Sequence, residues 1–175
     1  MEGIKAFLKR KNIEISAKRY GIDALGAMAQ GLFASLLIGT IINTVGTQFG
    51  IGFLTQAVVT VGSGEKAVAY TVGGLASAMS GPAMACAIGY ALQAPPLVLF
   101  SLITVGFASN ALGGAGGPLA VLFVAILAAE AGKAVSKETK IDILVTPLVT
   151  IFVGVALSAW WAPAIGKAAS SIGGI

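Results

Sequence analysis

The sequence has 175 residues, of which 57% are hydrophobic and 10% are charged, and its net charge is +4. Soluble domains carry about 25% charged residues, so this composition indicates an integral membrane protein and excludes a soluble enzyme. There is no histidine and one cysteine, Cys86. We therefore expect no catalytic group, no metal site, no cofactor and no intrachain disulfide. Enzymatic activity stays open, but it is not expected of this chain.

The positive charges form two clusters. One lies within residues 1–20, where Ile4, Phe7 and Leu8 share one helical face; the other is Lys133, Lys137 and Lys140. Because both clusters flank apolar segments, the positive-inside rule places them in the cytoplasm, and nucleic acid is not expected as a partner. Residues 1–20 are predicted to form a basic amphipathic helix on the inner membrane surface. The alternative is a solvated basic tail.

The first predicted membrane span covers about residues 24–45, with Asp23 as its cap. Gly31, Ser35 and Gly39 recur every four residues, a spacing that lets another helix approach closely. The next apolar run, 51–61, would be about 17 Å long as a helix against a ~30 Å hydrocarbon core. We predict that it is re-entrant or interfacial; an ordinary span is the alternative.

A long helix is predicted over 67–92. Gly73, Ser77 and Gly81 repeat the four-residue spacing of small residues, so we expect tight packing here as well. Pro82 should kink this helix, and the sequence "QAPP" should end it.

Two shorter apolar runs, 97–110 and 119–131, precede a last span over 143–161 that ends at a Trp pair. If both basic clusters are cytoplasmic, an even number of crossings separates them. The fold class is therefore an all-α integral membrane protein with about five transmembrane helices. The alternative is three helices plus a re-entrant hairpin formed by 97–132.

The stretch "NALGGAGGPLAV" lies between the two shorter runs. Irregular backbone at membrane depth is tolerated where it is buried in protein or lines a cavity, and helix ends at such breaks often bind transported solutes. We predict a broken helix here, with Pro118 starting the next segment and the Asn110 amide holding a hydroxyl. A tight turn outside the membrane is the alternative. The candidate substrate-binding residues are Asn110, Gly113, Gly114, Gly116, Gly117, Pro118 and Glu130.

Glu130 is the one acidic residue inside an apolar run. An intramembrane carboxylate can bind substrate or carry a proton. The alternative is an ion pair with Lys133, three residues later on the same helix.

Three segments together carry a family resemblance: "KRYGIDALGAMAQGLFASLLIGTII", "GGLASAMSGPAMACAIGYALQAPP" and "NALGGAGGPLAV". They resemble the EIIC-like integral membrane family of the bacterial sugar phosphotransferase system, which includes perfringolysin-regulator-type membrane proteins. The resemblance implies a sugar permease subunit of the bacterial inner membrane, with a cytoplasmic N-terminus and cytoplasmic phosphoryl-carrier domains as partners. A non-transporting membrane regulator or sensor and a small oligomeric channel are the alternatives.

Members of that family are about twice as long, so the chain resembles their N-terminal half. We expect residues 1–20 to form the interfacial helix and residues 21–175 a single transmembrane domain, one half of an inverted-repeat permease. The expected partners are the lipid bilayer and either a second copy of the chain or a missing C-terminal half.

Overall fold

The structure is a computed structural model that describes residues 2–138 and 140–173, and helices dominate it. Within these residues, four helices are long and apolar enough to cross a membrane, and a bent helix pair would make a fifth span. The predicted class, an all-α integral membrane protein with about five transmembrane helices, is confirmed. Contacts divide the chain into two compact units: Met1–Gly31 with Gly81–Ile175, and Leu32–Ser80.

The N-terminal segment contains helix α1, Glu2–Arg10. Asn12 has a φ of +58°, outside the right-handed helical region, and residues 13–16 are irregular. The helix predicted over residues 1–20 therefore ends about half-way along that segment.

Helix α2, Arg19–Gln48, has 30 residues and is about 44 Å long, so it exceeds a ~30 Å hydrocarbon core. Its start is capped by Ser16, whose Oγ accepts the backbone N–H of Arg19 at 3.0 Å. The predicted cap, Asp23, was wrong, because Asp23 lies inside the helix with an exposed side chain.

After α2 the chain forms the short helix α3, Gly52–Thr55, and two strands, β1, Val59–Val61, and β2, Val68–Tyr70. The strands pair antiparallel, with Thr60 opposite Ala69. The segment 51–61 therefore contains no helix that could cross a membrane, and the alternative of an ordinary span was wrong.

Helices α4, Val72–Ala78, and α5, Ser80–Ala91, replace the single helix predicted over 67–92. The predicted start was wrong, since residues 68–70 belong to β2. The helix breaks at Met79 and not at Pro82. Pro82 lies in the first turn of α5, where backbone N–H groups have no intrahelical acceptor to lose.

Three helices form the main bundle of the first unit: α6, Pro96–Gly113, α7, Gly117–Val135, and α8, Asp142–Gly173. Each packs against the other two, around fully buried Val98, Leu102, Val105, Val121 and Val124. Helix α8 continues past the predicted end at residue 161, although Pro163 lies inside it.

Candidate functional site

The glycine stretch forms a tight connection between α6 and α7. Gly113 ends α6, residues Gly114–Gly116 make one 3-10 turn, and α7 begins at Gly117 with Pro118 in its first turn. Gly114 has φ +55° and ψ −122°, a combination that strongly favours glycine. We call residues 113–117 the glycine turn. It reverses the chain within three residues, so α6 and α7 form a helical hairpin.

Helix α8 packs directly against the glycine turn. A Cβ added at Gly116 would lie 3.0 Å from the Cα of Gly166 and 3.1 Å from the carbonyl oxygen of Ile165. A Cβ added at Gly166 would overlap the carbonyl group of Gly113. The glycines therefore permit a second backbone to come close, and Gly116 faces that backbone.

Asn110 lies half-buried in the packing below the turn. A Cβ added at Gly117 would overlap its Oδ1, and one added at Gly81 would lie 2.7 Å from its Cβ. The side chain therefore packs between the first residue of α7 and a glycine of α5.

An open depression of about 500 Å³ lies beside the turn. Its polar groups are the ammonium of Lys167 and the hydroxyls of Ser170 and Ser171, and Gly114, Pro163 and Gly166 complete most of the lining. A Cβ added at Gly114 would meet no atom within 4 Å. Gly114 thus faces open space.

Glu130 lies far from the glycine turn and belongs to a different cluster. Along α7, Glu130 and Gly117 are about 20 Å apart. The Nζ of Lys133 donates to Glu130 Oε1 at 2.8 Å, and the Tyr20 hydroxyl donates to Oε2 at 2.8 Å. Both carboxylate oxygens are thus hydrogen-bonded within the protein. The structure shows the ion pair with Lys133 and does not bring Glu130 to the other candidate residues.

The same cluster ties the N-terminal segment to the helix ends. The fully buried Nζ of Lys133 also donates to the carbonyl oxygens of Asn12 and Leu92, each at 2.7 Å. Arg19 donates to the same Asn12 carbonyl at 2.6 Å and to Asn12 Oδ1 at 3.2 Å. The Asn12 amide donates to Gln93 Oε1 at 2.6 Å. We call this set of residues, with Tyr20 and Glu130, the basic-end network.

Four polar members of the basic-end network were not predicted from the sequence: Asn12, Arg19, Tyr20 and Gln93. Their one common sequence signal is that each is a polar residue near the end of a helix. That signal does not say which ends meet, so only the tertiary structure reveals the network.

The predicted helix-packing residues lie at close backbone contacts within each unit. In the first unit, a Cβ added at Gly31 would lie 2.6 Å from the carbonyl oxygen of Ala83, and one at Gly81 would overlap that of Gly106. In the second unit, a Cβ on Gly39 would overlap the Gly73 carbonyl and the Ser77 hydroxyl, and Ser35 is buried. These contacts lie within one chain, so by themselves they give no evidence for an oligomer.

Comparison with known proteins gives one family. Residues 22–175 match the family model described as "Phosphotransferase system, EIIC". Searches of curated proteins and of solved structures returned no match to this chain. The family match covers most of the chain and agrees with the multi-pass membrane architecture. The chain therefore belongs to the EIIC family of phosphotransferase-system membrane proteins, whose role is that of a sugar permease.

Proposed function

We propose that this chain is a membrane-embedded subunit of a sugar permease and that it binds a polar solute in the depression beside the glycine turn. The observation that carries the proposal is the family match over residues 22–175. Partnership with other components of a phosphotransferase system follows from the same match.

The chemistry of the depression suits a hydroxyl-rich solute. Ser170 and Ser171 can each donate and accept a hydrogen bond, and Lys167 offers three further donors. Gly114 presents its backbone to the same space, and without a side chain it allows close approach. Since the depression is shallow and open, we expect a second unit to complete the site, either another copy of the chain or a C-terminal half.

In this proposal the chain lies in the bacterial inner membrane with its N-terminus in the cytoplasm. The basic-end network then faces the cytoplasm, where phosphoryl-carrier domains act, because lysine and arginine favour that side. The solute enters from the glycine turn, at the opposite end of the bundle.

The test is binding and exchange of radiolabelled glucose, mannitol, N-acetylglucosamine and cellobiose. Scintillation proximity measures binding to the purified protein, and counterflow into proteoliposomes measures transport. We expect saturable binding and counterflow for at least one of these four solutes. Binding without counterflow would favour a regulator or sensor, and solute-independent ionic currents would identify a channel; either result would contradict the permease proposal.

Variants locate the solute site. Gly114→Val places a β-branched residue at a φ of +55° beside the depression, whereas Gly50→Val is a control at a φ of +63° with equally open surroundings. The double variant Ser170→Ala/Ser171→Ala removes two exposed hydroxyls without backbone strain. For the serine pair we expect binding to fall about 5- to 150-fold, since two lost hydrogen bonds remove about 1–3 kcal/mol. For Gly114→Val we also expect weaker binding, because the added side chain occupies open space beside the depression. Unchanged binding by the serine pair would place the solute elsewhere.

A further inference from the structure

A second cavity, of about 430 Å³, opens at the end of the bundle that carries the basic-end network. Arg10, Lys11, Lys133 and Lys137 line it, and Glu138 is the one acidic residue in the lining. No part of the proposed solute site contributes to it, because about 24 Å of α7 separates Lys133 from the glycine turn.

Glu138 is the internal counter-ion of this cavity. Its Oε1 lies 2.5 Å from the Nζ of Lys11 and 3.1 Å from Nη2 of Arg10. The hydrogen bond and the charge of Lys11 lower the pKa of Glu138, so its carboxylate is ionised at neutral pH. Glu138 is itself exposed, in the loop between α7 and α8. It can therefore move away without disturbing the helices.

The other two lysines that line the cavity differ in how free they are to bind a ligand. Lys133 is committed to three acceptors within the basic-end network. Lys137 has an exposed side chain, and among residues 2–138 and 140–173 its ammonium has no hydrogen-bond or ion-pair partner. If Glu138 moves out, Arg10 and Lys137 present two cations to one space, beside the ammonium of Lys11, which keeps its hydrogen bond to the carbonyl oxygen of Ser136.

We propose that this cavity binds a phosphate group, which displaces the Glu138 carboxylate from Arg10 and Lys11 and also engages Lys137. A phosphate offers more acceptor oxygens than a carboxylate, and the planar guanidinium of Arg10 can bind it through two parallel hydrogen bonds. The phosphate can come from a phospholipid headgroup or from a small phosphate in solution. The adjoining helix α1 carries Phe7 and Leu8 beside its basic residues, as helices at a lipid surface do.

Two binding experiments on the whole protein distinguish the sources of phosphate. In the first, the protein in dodecyl maltoside, a detergent without phosphate, is titrated calorimetrically with inorganic phosphate at low salt. In the second, nanodiscs containing phosphatidylglycerol and phosphatidylcholine are used, and native mass spectrometry counts the phosphatidylglycerol molecules retained by the protein. Binding in the first experiment identifies a soluble phosphate, and selective retention in the second identifies a headgroup; either supports the proposal. The absence of both would overturn it.

Two charge-neutralising variants with matched controls link binding to the cavity. Glu138→Gln should raise affinity or retention, because it removes the competing carboxylate, and Lys137→Gln should lower it, each by about threefold as for a partly exposed charge pair. Glu14→Gln and Lys140→Gln change the net charge equally, but neither residue lines the cavity. Because Lys137 and Glu138 are exposed, we expect all four variants to fold. Equal effects of Glu138→Gln and Glu14→Gln would show a response to overall charge alone and would overturn the proposal.

Discussion

The ammonium of Lys133 should be the most sensitive single group in the basic-end network. Its side chain is fully buried and donates to Glu130 Oε1 and to the carbonyl oxygens of Asn12 and Leu92. Lys133→Met keeps a long apolar stem but removes the charge and all three donors. Glu130, whose side chain is 13% exposed, is then left as a nearly buried carboxylate, and Tyr20 is its remaining hydrogen-bond donor among the described residues.

The expected loss of stability in Lys133→Met follows from these contacts. Removing one partner of a buried ion pair costs about 3–5 kcal/mol, because the other charge stays desolvated. The Asn12 carbonyl keeps Arg19 as a second donor, whereas the buried Leu92 carbonyl loses its side-chain donor, which costs about 1–3 kcal/mol at most. We therefore expect Lys133→Met to lower the free energy of unfolding by about 3–5 kcal/mol. Lys140→Met is the control, and for this exposed lysine we expect a change within about 0.5 kcal/mol.

Equilibrium unfolding in mixed detergent micelles with increasing dodecyl sulfate measures these free energies. Cys86 is half-buried, so the extent of its reaction with a maleimide dye gives a second, independent measure of unfolding. The double variant Lys133→Met/Glu130→Gln removes the orphaned charge and should regain at least about 1 kcal/mol relative to Lys133→Met alone. A loss below about 1 kcal/mol for Lys133→Met, or no regain in the double variant, would refute the assignment of a buried ion pair.

Three further predictions test topology, packing and pH dependence. Single cysteines at positions 9, 137 and 160 in a Cys86→Ala background should be labelled by an impermeant maleimide in intact cells at position 160 alone; labelling of position 137 from outside would contradict the cytoplasmic placement of the basic end. Gly31→Leu and Gly81→Leu should each destabilise the protein by about 1–3 kcal/mol through overpacking, whereas Gly26→Leu, where an added Cβ meets no atom within 4 Å, should leave the micelle unfolding curve unchanged. The pKa of Glu138 is lowered in the folded protein. The ionised Glu138 therefore contributes fully to stability above the pKa it has in the unfolded chain, and this contribution is lost as the pH falls through the lower pKa of the folded protein. Hydrogen exchange of residues 8–13 should therefore quicken, after correction for intrinsic rates, between about pH 5 and pH 3, and Glu138→Gln should remove that step.

The membrane helices could be predicted from the sequence because the information for them is local. A run of apolar residues and the end signal "QAPP" need no knowledge of the rest of the chain. The four-residue spacing of small residues likewise marks a packing face before the partner helix is known. The structure then supplies the partners, Ala83 for Gly31 and Gly106 for Gly81.

The hairpin of β1 and β2 was missed although its signal is present. The sequence "VTVGSGEKAVAY" holds two short runs rich in valine around a glycine-containing loop, which is typical of a hairpin. Gly62 and Gly64 both have positive φ, +94° and +61°, as such loops require. The apolar length of the segment excludes a full membrane span, but only its alternation of residue types indicates the strands. The predicted cap at Asp23 failed differently, because Ser16 lies earlier and starts the helix first.

The basic-end network could not be predicted, because its members are far apart in the sequence. Asn12, Leu92 and Lys133 meet at one nitrogen atom, and no local pattern indicates that meeting. The depression beside the glycine turn could not be predicted either. It is lined by a part of α8 that lies beyond residue 161, the predicted end of the last span.

The meeting of these distant residues bears on how often the first unit crosses the membrane. The contacts around Asn12 and Lys133 place four helix termini at one end of this unit: the start of α2 and the ends of α5, α7 and α1. Helices α6 and α7 have 18 and 19 residues and so reach about 26–27 Å from that end to the glycine turn. A re-entrant hairpin would return from mid-membrane, after about 15 Å of a ~30 Å core. The length of α6 and α7 therefore favours two full crossings over a re-entrant hairpin. If the bent pair α4 and α5 is one span, the described residues provide five crossings together with α2 and α8, and both basic clusters then lie on the same side of the membrane.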